Sequence, residues 1–229
     1  AAPSQQHNLS ISGNTGKTQY YLSLGYDHEQ SLTNFNPDKL KRYNATVNLQ
    51  SQVKDWLTVG ARFSYSDKQF NSVYARGAGT YQYLWRWGSF FGPYGYFVDD
   101  NGDHWDARTM IGGRNTGGDI TRRYMSMRAN GFFKIDFTHG FTFNADYTFV
   151  NSTSRYKGDG LPSYVYNTWG LNPTSATNIA GATTWVETDR SFAFQHIANA
   201  YFNYNNTFAN AHNLNVMLGG NLDKYNYEY

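Results

Sequence analysis

The sequence predicts an all-β chain: an antiparallel, up-and-down transmembrane β-barrel segment of about eight strands, part of a larger barrel. Three observations carry this expectation. Apolar and polar residues alternate strictly along eight stretches, the connections between those stretches are short and long by turns, and the chain is rich in aromatic residues while its mean hydropathy is low.

The alternation is plainest from Leu57, where Leu57, Val59, Ala61, Phe63 and Tyr65 interleave with Thr58, Gly60, Arg62, Ser64 and Ser66. A period of two sends successive side chains to opposite faces of a strand; a helix would need recurrence at i+3 and i+4. Upstream, Leu9 and Ile11 stand between Asn8, Ser10 and Ser12, then Tyr20, Leu22, Leu24 and Tyr26 alternate with Gln19, Tyr21, Ser23 and Asp27. Tyr43, Ala45, Val47 and Leu49 follow, set against Arg42, Asn44, Thr46, Asn48 and Gln50. Downstream, the odd positions from Met125 to Phe137 oppose Ser126, Arg128, Asn130, Phe132, Lys134 and Asp136. Phe141, Phe143, Ala145, Tyr147 and Phe149 oppose Thr142, Asn144, Asp146 and Thr148. Phe192, Phe194, Ala198, Ala200, Phe202 and Tyr204 make the next row, and Leu214, Val216, Leu218 and Leu222 the last. No Asp, Glu, Lys or Arg interrupts an apolar row; Asp67 and Arg123 stand only at row ends, and His196 is the one polar intruder. Arg or Lys at mid-membrane costs roughly 2–4 kcal/mol, so charge-free rows fit contact with lipid.

A soluble sandwich also alternates, and the connections separate the two. Asn14-Thr15-Gly16, the stretch around Lys54-Asp55, Thr138-His139-Gly140 and Asn205 to Ala211 are short, whereas about 29–39, 68–121 and 152–189 are long. Outer-membrane barrels have tight periplasmic turns and long extracellular loops, and a Greek-key sandwich gives no reason for such regularity. Both ends of the chain then fall on the long-loop side, which suggests a piece of a larger barrel. The first residues, Ala1 to Gln6, hold neither an initiator Met nor an apolar signal core, so an export signal is not expected in this piece.

Composition agrees. A mean hydropathy of -0.67 is typical of a soluble protein and no apolar run approaches the roughly 18 residues of a membrane helix, yet Tyr, Phe and Trp together reach 18%. A barrel reconciles the two, because only alternate residues meet lipid and aromatics gather at the interfaces. The absence of Cys removes disulfides and thiolate metal sites, and a net charge of +2 without basic runs argues against a nucleic-acid partner.

The strands also resemble a known family in their wording. His7-Asn8-Leu9-Ser10-Ile11-Ser12-Gly13, Lys17 through Tyr26, Lys41-Arg42-Tyr43-Asn44, Asn48-Leu49 and Asp55-Trp56-Leu57-Thr58-Val59-Gly60 are similar to a barrel stretch of the SusC/RagA family, TonB-dependent outer-membrane transporters of Bacteroidetes. His212-Asn213-Leu214-Asn215 and Leu218-Gly219 resemble a later strand of that family. The likeness is close from Gln5 to Ser66 and looser beyond; the family's usual Gly after the second strand is replaced by His28-Glu29-Gln30-Ser31. The resemblance implies a 22-stranded barrel closed by a plug, energised through TonB and paired with a SusD-like surface lipoprotein, importing glycans or peptides. Residues 1–229 would then be a partial barrel domain without the plug, in contact with outer-membrane lipid.

Candidate sites divide into three groups. The long connection carries Tyr81, Tyr83, Trp85, Trp87, Phe90, Phe91, Tyr94, Tyr96 and Trp105, whose faces would stack on a substrate, meet the lipoprotein, or pack into a small core of the loop itself. Arg42, Arg62, Arg128, Lys134, Asp136 and Asp146 fall on polar rows and are expected to face the lumen, in contact with water or the plug. Asp99-Asp100-Asn101-Gly102-Asp103 has the look of a calcium loop but lacks EF-hand spacing, and Asn101-Gly102 reads better as a hairpin turn. The six His are scattered, no nucleophile elbow or Walker loop occurs, and neither enzyme activity, a metal nor a cofactor is expected. The rival readings are a structural or adhesive barrel, an outer-membrane hydrolase barrel, and a soluble carbohydrate-binding sandwich.

Overall fold

The computed structural model describes residues 2–32, 37–73, 96–99, 102–105, 118–160, 164–166, 176–178, 185–208 and 212–229. Eight long strands form one antiparallel sheet: β1 (Ser4–Asn14), β2 (Thr18–Gln30), β3 (Lys39–Lys54), β4 (Leu57–Val73), β7 (Asp119–Asp136), β8 (Phe141–Gly160), β11 (Trp185–Phe208) and β12 (His212–Glu228). Each pairs with the next long strand in sequence, so the topology is a plain up-and-down meander. Two small hairpins, β5 (Tyr96–Asp99) with β6 (Gly102–Trp105) and β9 (Tyr164–Tyr166) with β10 (Ala176–Asn178), sit in the two longest connections.

The sheet is open, with β1 and β12 as its edges. Backbone N–H and C=O groups on an open edge cannot be left unpaired in hydrocarbon, so a spanning sheet of this kind needs further strands on each side. The fold is therefore that of a piece of a larger barrel wall.

Short turns at one end hold the hairpins together. Between β1 and β2, Gly16 takes φ 79°, a left-handed conformation that suits glycine, and its N–H donates to Asn14 Oδ1 at 2.8 Å. Only Asp55 and Trp56 separate β3 from β4, with a register shift at Gln52/Lys54. At the other end the ladder runs past the apolar rows. β4 continues to Val73 and β8 to Gly160, beyond positions 68 and 152 where the alternation of hydropathy stops. Ladder hydrogen bonds join backbone groups, which do not depend on side-chain polarity, so hydropathy under-reads strand length. A membrane strand needs about 9–11 residues, whereas β11 has 24; the surplus carries the sheet well above the apolar zone.

The registers align one face into a continuous apolar surface. The line Ile11, Leu22, Val47, Phe63, Ala129, Phe149 crosses β1 to β8 through paired residues. These side chains are not sealed under a second layer: Leu9 is 69% exposed, Leu218 74% and Phe202 51%. The only apolar side chains fully buried among the described residues are Val73 and Ile120, near the rim. A soluble sandwich would bury such a face against another sheet at about 25 cal/mol per Å²; among the described residues no second sheet covers it, which speaks against the sandwich reading.

The opposite face is concave and polar. Side chains from five neighbouring strands, from Thr46 on β3 to Tyr201 on β11, border a common groove. Aromatic residues on this face lie over facing glycines: Phe132 is paired with Gly60, and a Cβ at Gly60 would run into its ring. The glycine thus accommodates a flat side chain that otherwise crowds the ladder.

Candidate functional site

The polar face is the candidate site, and it is built by alternation plus register. Arg42, Arg62, Arg128, Lys134, Asp136 and Asp146 all occupy inward positions of β3, β4, β7 and β8. A groove of about 590 Å³ is lined by Arg62, Arg128, Lys134 and Asp146 together with Thr46, Asn48 and Tyr201. Arg62 and Phe132 also line a second groove of about 490 Å³ toward β1 and β2.

All of these ions except Arg128 have a partner among the described residues. The Arg62 guanidinium sits over the Phe132 ring, 4.5 Å from its centroid, an arrangement stabilised by the ring quadrupole. Lys134 Nζ lies 2.7 Å from Asp136 Oδ1 on the same strand face, and Arg42 Nη1 lies 4.0 Å from Asp27 Oδ2 across the β2–β3 ladder. Asp146 accepts from Asn130 Nδ2 at 3.2 Å and from Asn199 Nδ2 at 3.1 Å; Asn199 Oδ1 in turn accepts from Asn221 Nδ2 at 2.6 Å. One network therefore crosses β7, β8, β11 and β12. Asn130 Oδ1 in this network, and Asn203 Oδ1 outside it, are buried without a donor among the described residues.

The loop aromatics fare differently. Tyr81, Tyr83, Trp85, Trp87, Phe90, Phe91 and Tyr94 lie outside the described residues. Tyr96 and Trp105 are the first and last positions of the β5–β6 hairpin, where they form a backbone pair. Of the expected Asn101-Gly102 turn, Asn101 lies outside the described residues, and Gly102 pairs with Asp99 and belongs to the strand β6. The rest of the calcium-like stretch is only partly described. Among the described residues, no group of three His, Asp or Glu is placed to hold a metal ion.

Two relationships on the apolar side escape sequence reasoning. His196, the polar intruder, takes a hydrogen bond with the Tyr147 hydroxyl at 2.6 Å. Asp67 and Arg123, at the ends of their rows, form a bidentate pair at 2.9 and 2.5 Å across β4 and β7. Their separations in sequence, 49 and 56 residues, give no local signal.

Fold and polarity together define the class: contiguous wall strands of a large up-and-down β-barrel of the outer-membrane type. Solved structures place it more narrowly. The chain matches a structure of the RagAB peptide transporter with a TM-score of 0.69 at 19% identity, over 98% of this chain and 24% of that one. It matches the RagAB peptide importer in its open-open state at 0.67 and 22% identity, covering 99% and 24%. The closed-closed state gives 0.64 and 20%, covering 100% and 26%. The chain thus spans about a quarter of the length of the structures it matches. At these identities the likeness is one of fold, and it agrees with the SusC/RagA resemblance carried by the strand motifs. No protein-family model and no curated protein matches the chain.

Proposed function

We propose that this chain forms part of the wall of an outer-membrane nutrient importer, with its apolar face on lipid and its polar face toward a plugged or water-filled interior. The observation that carries the reading is the uncovered apolar surface on one side of a sheet whose other side is hydrogen-bonded, charged and concave. Strand lengths, meander topology and the fold likeness to peptide transporters support it.

In this reading the inward ions position a plug and a solute path and perform no bond chemistry; the chain is not an enzyme. Import would draw energy from TonB through a plug, and a SusD-like lipoprotein would deliver the solute over the long connections. Peptides are preferred to glycans as cargo because the matched structures are described as peptide transporters. The test is uptake of labelled oligopeptides and oligosaccharides by cells carrying the full-length protein, with TonB present or deleted. TonB-dependent accumulation of peptides is expected; equal accumulation in cells lacking the protein would reject the transport reading.

A further inference from the structure

The face that meets lipid changes character abruptly where the apolar rows end toward the long connections. The first ionisable side chain beyond the row is Lys41 on β3, Arg123 on β7, Arg155 on β8, Arg190 on β11 and Lys224 on β12. On β4 it is Asp67, and that carboxylate is already held by Arg123 through both oxygens. At the short-turn end no such row exists among the described residues: one cation, Lys54, is set opposite Leu57 on this face by the bulge in β3, and the other charges there belong to turns, as with Lys17 and Asp55, or to the inward face, as with Lys134 and Asp136.

The register makes this more than a composition bias. Arg123 pairs directly with Arg155, and Arg155 directly with Arg190, on three adjacent strands and the same face. Lys41 joins the same line through Gln69. Like charges directly opposite one another in a ladder are destabilising. Asp67 relieves Arg123, but among the described residues no carboxylate is within ion-pair distance of Arg155 or Arg190. Arg190, Lys41 and Lys224 are exposed and Arg155 half-buried. An arrangement of this kind is completed by an anion supplied from outside. Guanidinium forks match phosphate oxygens in particular.

We propose that this cationic stripe docks the phosphorylated headgroups of the lipid leaflet on the long-connection side. The inference rests on the membrane-wall reading above, since it is the apolar belt just below the stripe that would bring acyl chains, and hence headgroups, to this height. Charge complementarity selects the phosphate-bearing headgroup, and position selects lipid over a soluble anion.

The experiment uses the full-length protein in nanodiscs of phosphatidylcholine doped with bis-phosphorylated lipid A or with its dephosphorylated form, reading protein-bound lipid A by native mass spectrometry. A triple variant, Lys41→Gln, Arg155→Gln, Arg190→Gln, is compared with Lys17→Gln, Lys54→Gln at the opposite rim. Each cation near an anionic lipid surface contributes about fivefold to binding, so the triple variant should lose at least about tenfold of bound phosphorylated lipid A. The opposite-rim variant and the dephosphorylated lipid report the baseline. Equal retention by the triple variant and the native protein, or equal retention of both lipids, overturns the proposal while leaving the wall reading intact, because insertion into the discs is scored separately. Failure of the native protein to insert overturns both. Inorganic phosphate at millimolar concentration displacing the lipid completely would assign the stripe to a free anion and overturn the lipid assignment.

Discussion

The Tyr147 hydroxyl and His196 Nδ1 stand 2.6 Å apart on the apolar face, joined across the β8–β11 ladder. Tyr147 is the residue paired with Ala198, two positions along from His196, so the contact is diagonal, and the Phe149 ring lies 5.1 Å from the imidazole on the other side. In the membrane-wall reading proposed above, a polar side chain in this apolar row is tolerated because its neighbour supplies the hydrogen bond that hydrocarbon cannot.

Removing either partner should therefore strand the other. Tyr147→Phe and His196→Phe are each expected to destabilise the full-length barrel by about 1–3 kcal/mol, the cost of an unsatisfied polar group, and the double replacement should recover most of that loss. Urea unfolding in lipid vesicles measures both. A Tyr147→Phe, His196→Phe double variant as unstable as the Tyr147 single variant would refute the coupling.

Facing is tested by charge. Val47 lies mid-belt on the apolar face and Asn48 lines the groove. Val47→Arg should reduce folded barrel in outer-membrane fractions sharply, by roughly 2–4 kcal/mol of stability, and Asn48→Arg only slightly. Comparable yields for the two would contradict the assignment of the faces.

The Asp67–Arg123 pair bridges β4 and β7, the strands separated by the longest connection, residues 74–118. The Arg123 side chain is 37% exposed and that of Asp67 11%, so the cost of Arg123→Ala falls between a surface pair and a buried one, about 1–2 kcal/mol. Asp67→Asn should cost less, because the carboxylate left behind is the expensive species. Limited proteolysis of the full-length protein should show faster cleavage within 74–118 in the Arg123 variant than in the Asp67 variant.

On the inner face, Gly60 leaves room for Phe132, on which Arg62 rests. Gly60→Val would displace both and cost about 1–3 kcal/mol through overpacking. Restoration by a second change, Phe132→Ala, checks that the clash and not the strand propensity is responsible.

Much of this fold is readable in the chain because period two is a local property. The row from Leu57 to Tyr65 declares its two faces without reference to any other segment, and the groove-lining places of Arg62, Arg128, Lys134 and Asp146 follow from their parity. The extent of the strands was less legible, since the backbone ladder continues to Val73 and Gly160 where side chains no longer alternate. The Asn-Gly step puts Gly102 in a turn, whereas the structure pairs it with Asp99, because the β5–β6 register is decided by both strands at once.

The sequence by itself determined which side of each long strand is apolar, how many strands the large sheet has and the order in which they meander, all set by neighbouring residues and short turns. Only the tertiary structure decided who stands beside whom: Tyr147 against His196, Arg155 between Arg123 and Arg190, Asp146 between Asn130 and Asn199. Cross-strand register is a property of two segments at once. A slip of two residues would keep every face correct and yet dissolve each of these partnerships.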